Sequence, residues 1–161
     1  MQEIRLMKEK RNETLNFLRI VSILLISTLP VMGNAAESTL EAISFQDGSY
    51  MTVEITASGA RSAGSVTGNK TYTYYDANNV SQWKAVLTGT FTYTGSSATC
   101  TSSNVNVTIY DSDWYVNNKS ASKSGNVATA SVTVGRIYDG TTMTLVPANL
   151  RLTCDANGNL S

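Results

Sequence analysis

The sequence contains no histidine. That absence removes the most common general base, the Ser–His and Cys–His nucleophile pairs, and any zinc site that needs imidazole. Cysteine is nearly as scarce, with Cys100 and Cys154 alone. Two thiols are too few for a structural metal site. An excess of one charge is missing as well, since 12 Lys and Arg balance 12 Asp and Glu. Five of the cations and three of the acids lie in the first 36 residues, leaving 7 positive and 9 negative groups in the rest. A chain this close to neutral has no electrostatic footprint for nucleic acid. Membrane-length apolar runs are absent too. The longest stretch, Ile20–Met32, has 13 residues, against the ~18–20 that a spanning helix requires.

What the first 36 residues do contain is a secretory address. Arg5, Lys8, Lys10, Arg11 and Arg19 form a basic leader, starting at Met1 or at Met7. The apolar run Ile20–Leu29 follows, then Pro30, then the small residues Gly33, Ala35 and Ala36. This order predicts a signal helix, removed by cleavage after Ala35 or Ala36. Residues 1–36 are therefore expected to be a signal peptide and 37–161 a single exported domain, secreted and without a stable membrane anchor. In an oxidising compartment two cysteines predict one disulfide, Cys100–Cys154.

The body is rich in Thr and Ser, 36 of its 125 residues, and poor in straight-chain helix formers. Its apolar residues recur at every second position. In Gln82–Thr94, Trp83, Ala85, Leu87, Gly89, Phe91 and Tyr93 share one face while Lys84, Thr88, Thr90, Thr92 and Thr94 take the other, and only Val86 breaks the rule. That two-residue period marks a half-buried strand. Met51–Ala57, Val105–Ile109, Ala128–Val134 and Leu150–Cys154 follow it, with weaker segments at Thr71–Tyr75, Trp114–Val116 and Met143–Val146. Turn signals such as Asp47-Gly48, Gly68-Asn69, Gly95-Ser-Ser97, Gly125-Asn126 and Asp139-Gly140 separate them. The pattern predicts an all-β domain, a single antiparallel β-sandwich of about eight short strands with a small barrel as the alternative, and Ser58–Gly68 as a surface loop.

Few residues in this body carry chemistry. Asp47, Asp76, Asp139 and Asp155 each sit beside Gly, Asn or Ala-Asn in turns, where the carboxylate caps its own backbone. The Asp155–Asn159 loop presents oxygens at alternate positions, but its Gly comes two places too early for an EF-hand. The expectation is no metal, no cofactor and no enzymatic activity. Asp111 and Asp113 form the one close carboxylate pair, and Trp114 and Tyr115 follow directly. On a strand one of these aromatics must face away from the other. An exposed ring beside Asp and Asn suits a glycan or peptide. Asp111, Asp113, Trp114 and Tyr115 are therefore the candidate binding residues.

Several segments resemble a group of small exported proteins of Gram-positive, Clostridia-type bacteria. They are Lys70–Tyr74, Trp83–Thr94, Gly95–Cys100, Lys123–Asn126 and the ending Leu152–Ser161. The resemblance implies secretion and a compact domain, with no assigned activity to carry over. The leading functional expectation is a non-enzymatic extracellular module that binds an envelope glycan or another extracellular protein. The alternative is a membrane-active, bacteriocin-like factor. It is suggested by Ser120–Val134, which alternates small apolar with polar residues around a turn, as pore-lining hairpins do.

Overall fold

A computed structural model describes residues 22–25, 39–62, 64–138 and 140–161. The basic leader, the cleavage site at Ala35–Ala36 and Asp139 lie outside the described residues. The strands are β1 (Ser22–Leu25), β2 (Thr39–Ser44), β3 (Tyr50–Ser62), β4 (Ser65–Tyr75), β5 (Ser81–Tyr93), β6 (Ala98–Ile109), β7 (Trp114–Ser124), β8 (Val127–Tyr138) and β9 (Thr141–Thr153). β1 to β6 form one antiparallel sheet in chain order, and β7 to β9 form a second. The architecture is a β-sandwich, and each strand pairs with its sequence neighbour within a sheet. The chain changes sheet once, at the turn between β6 and β7.

The strands are longer than the sequence suggested. β3 to β9 each have 11 to 13 residues. Ser58–Gly68 is not a loop: β3 runs to Ser62, and β4 starts at Ser65 after a tight turn. Its small residues hide the two-residue period from view. Gly68, read as a turn signal, lies inside β4, where Leu160 packs on the side from which a Cβ would project. Of the expected signal helix, the described residues include Ser22–Leu25 alone, and these form a strand on the edge of β2. An apolar segment satisfies its backbone groups there as well as in a helix.

The core lies where the two sheets face each other. Trp83, Ala85, Leu87 and Phe91 of β5 meet Ala128, Ala130, Val132 and Val134 of β8 and Val146, Ala148, Leu150 and Leu152 of β9, all buried. Apart from Ala148, which lies between two of them, these are apolar positions of the alternating segments. Burying a large apolar side chain stabilises by roughly 1.5–3 kcal/mol, so this double row supplies the main adhesion between the sheets. The turns are built as their residues dictate. Asp47, Asp76, Asp111 and Asp155 each accept a backbone N–H two residues ahead through Oδ1. Ser124 pairs with Val127 around a two-residue loop, and Gly125 at φ 54° takes the left-handed conformation that such hairpins favour at this position.

The expected disulfide is not formed. Cys100 and Cys154 are both buried, and no bond joins them. They flank the β7–β8 turn from opposite sides. The Cys100 N–H donates to the Gly125 carbonyl at 2.7 Å, and the Cys154 N–H donates to the Asn126 carbonyl at 3.1 Å. Two chains on either side of a third stand roughly 9–10 Å apart, beyond the ~7 Å limit for bridging Cα atoms. Each thiol turns to a nearby carbonyl instead, Cys100 to Ser102 at 3.2 Å and Cys154 to Asp155 at 3.4 Å.

Candidate functional site

The four residues singled out from sequence lie together at the β6–β7 turn but do not act together. Asp111 Oδ1 accepts the Asp113 N–H at 2.8 Å, and the Asp111 carbonyl accepts the Trp114 N–H at 3.1 Å. The Asp113 carbonyl accepts the Ile137 N–H at 2.7 Å, which ties the turn to β8. Both aspartates thus have structural work, although the Asp113 side chain remains exposed.

Trp114 points inward and is 5% exposed. Its Nε1–H donates to Gln82 Oε1 at 3.0 Å, and its ring meets Tyr74 edge-on at 5.3 Å. The Arg136 guanidinium sits 5.6 Å from the ring centroid. A ring occupied in this way is a core residue, not a platform for a ligand.

Tyr115 points the other way, onto the outer face of the β7–β9 sheet. Register puts it in one row with Gly135 and Leu145. Its ring crosses Gly135, where an added Cβ would overlap it. Leu145 is 51% exposed, and Ile137 is also exposed nearby on β8. Together these side chains make an apolar, aromatic end to the face.

Further along the same face the composition changes to hydroxyl and amide. Ser120 pairs with Ser131, and Ser131 with Asn149; the next row is Ser122, Thr129 and Arg151. These two rows line a depression of about 310 Å³. Ser122 Oγ and Thr129 Oγ1 are hydrogen-bonded at 2.8 Å. Arg151 is exposed and is the only charged residue in the lining. From Gly135 to Thr129 the face runs six residues along β8, roughly 20 Å of strand.

Sequence reasoning missed these residues. Their signal was present in the alternation of β8, whose polar positions Thr129, Ser131 and Thr133 had to face away from the core. It was not distinguishable from ordinary solvent-facing serine and threonine. The strand opposite was harder still to read, since nine of the eleven residues of β7 are exposed. A bulge between Val116 and Asn118 breaks its register. Beyond it, β7 lies along β6, and Lys123 Nζ donates to the Thr101 carbonyl.

A second polar group lies on the inner face of the larger sheet, in line with the core rows of β5. Lys70 shares a row with Ile55 and Leu87, and Tyr72 shares one with Val53 and Ala85. Burial pushes the Lys70 ammonium below its usual range, partly offset by Glu41. Burial, with Glu41 adding to it, pushes the Tyr72 phenol up. Tyr72 donates to the Asn149 carbonyl at 3.2 Å, which fixes the backbone of one depression residue to the other sheet.

Among the described residues no three His, Cys, Asp or Glu side chains converge as metal ligands would. No helix there is long and apolar enough to cross a membrane. Comparison of the chain with protein-family models, with curated proteins and with solved structures returns no match.

Proposed function

We propose that the protein is an exported, non-enzymatic binding module that holds an envelope glycan on the outer face of the β7–β9 sheet. One observation carries this reading. One outward face joins an aromatic end at Tyr115 to a depression lined by hydroxyl, amide and guanidinium side chains together with Ala130 and Leu150. Sugars present the matching chemistry, with apolar C–H faces that stack on aromatic rings and hydroxyls that exchange hydrogen bonds. Leader composition supports export, and the resemblance to small exported bacterial proteins supports an envelope setting.

Pull-down on purified peptidoglycan, together with a glycan array, tests the proposal. The protein is expected to bind, and binding is expected to fall on Tyr115→Ala and Ser131→Arg. A control on the opposite sheet, Thr108→Arg, should bind normally. Loss on the control with both face variants unaffected would refute the assignment. A membrane-active hairpin would have to withdraw Ala128, Ala130, Val132 and Val134 from the core. The expectation is therefore no liposome leakage at concentrations where glycan binding saturates.

A further inference from the structure

We infer that the depression takes an anionic substituent on the glycan, a carboxylate or a phosphate, with Arg151 as its counter-charge. This rests on the reading of the β7–β9 outer face as the glycan surface, and adds the class of ligand.

Arg151 lies in the row of Ser122 and Thr129, next to the row of Ser131 and Asn149. Rows on one face of a sheet repeat about every 6.6–6.8 Å, and adjacent strands stand about 4.8 Å apart. A group of sugar size therefore reaches both rows at once. The depression holds about 310 Å³, at the lower end of the roughly 300–1,000 Å³ typical of small-molecule sites.

No carboxylate among the described residues pairs with Arg151. Among the described residues the Asn149 side-chain amide has no hydrogen-bond partner either; its backbone carbonyl is the atom held by Tyr72. Ser122 and Thr129 are already aligned by their mutual bond. A planar guanidinium with free donors matches the two oxygens of a carboxylate or phosphate in a way that a lysine does not. Neutral hydroxyl and amide neighbours leave that charge unopposed and offer partners to the rest of the sugar. A wholly neutral glycan would leave the one charge in the lining without a role.

Affinity electrophoresis of the exported protein tests this, with polygalacturonate as the carboxylate polymer, poly(glycerol phosphate) as the phosphate polymer and dextran as the neutral one. The inference predicts retardation by at least one anionic polymer and none by dextran. Arg151→Gln should weaken that retardation about tenfold, the usual effect of losing one charge-assisted contact. Arg151→Lys should keep part of it, and Lys84→Gln, on the outer face of the other sheet, should change nothing. Which polymer responds separates carboxylate from phosphate. Equal retardation by dextran, or unchanged binding by Arg151→Gln, overturns the anionic assignment and leaves the face itself standing. Absence of retardation by any polymer also overturns it. Failure of the underlying reading looks different: glycan binding on the array would then survive both Tyr115→Ala and Ser131→Arg.

Discussion

The ring of Tyr115 lies across Gly135, in the space that a side chain on that glycine would occupy. The pair joins β7 to β8 on the outer face and holds the aromatic end of the proposed surface flat. Gly135→Ala should displace the ring. Overpacking of this kind costs about 1–3 kcal/mol, so a lower melting temperature is expected. Peptidoglycan binding by the folded variant, measured below that temperature, should fall as well. A variant that loses stability but binds normally would show that Tyr115 is structural only.

Trp114 and Gln82 form a buried hydrogen bond at 3.0 Å, and Gln82 Nε2 also donates to the Val80 carbonyl at 3.0 Å. Gln82→Ala removes the acceptor and leaves the indole donor buried. An unsatisfied buried donor costs about 1–3 kcal/mol, readable as a drop in urea midpoint. Trp83 offers a contrast, because among the described residues its Nε1 is the buried side-chain nitrogen that has no partner. Trp114→Phe should therefore destabilise more than Trp83→Phe, once the loss of ring volume common to both is set aside. The reverse order in chemical denaturation would contradict this hydrogen-bond account.

Two thiols buried on either side of the β7–β8 turn give a redox prediction. Burial also pushes the Cys100 thiol up, with Ser102 and Lys123 opposing the shift. Alkylation of the unreduced native protein should be slow, and both cysteines should be labelled after denaturation without reductant. Dithiothreitol should leave the melting temperature unchanged. A mass two units low in the unreduced, denatured sample would instead reveal a Cys100–Cys154 bond.

The C-terminal turn carries a local pH dependence. Hydrogen bonds from the Asn159 side chain and backbone, and from the Asn157 and Gly158 amides, hold the Asp155 carboxyl below its usual range. A carboxyl with a depressed folded value stabilises the turn above the unfolded value, and that contribution is lost as pH falls through the folded one. The amide resonances of Asn157 and Asn159 should accordingly shift with a midpoint below that of a free aspartate. A midpoint at or above the free value would contradict the hydrogen-bonding seen here.

How far the sequence carries is visible in individual strands. β5 was legible because Trp83, Ala85, Leu87 and Phe91 recur at alternate positions with polar residues between them at all but Val86, and only a half-buried strand rewards that pattern. The turn aspartates were legible because their capping is local. β7 was legible only in part, at Trp114–Val116 and in the alternation that begins at Ser120, since a strand lying beside β6 instead of over the core leaves no continuous apolar stripe. The end of β3 was not legible, because Ser58 to Ser62 include no large apolar residue that could show a period. Nor could the cysteines be placed, because their separation depends on the Gly125-Asn126 turn inserted between them. The polar depression was hidden for a related reason. Ser120 and Ser131 face each other across one hairpin, but Asn149 and Arg151 come from a third strand, and only strand register sets them in the same rows.

Amide chemical-shift mapping of isotope-labelled protein with solubilised peptidoglycan fragments tests the central claim most directly. The account predicts perturbations concentrated at Tyr115, Ser131, Asn149 and Arg151 on the outer face of β7–β9. Thr71, Thr88 and Asn106, on the outer face of the larger sheet, should stay still. Perturbation of that second set with β7–β9 silent, or no perturbation anywhere at saturating fragment, would contradict it.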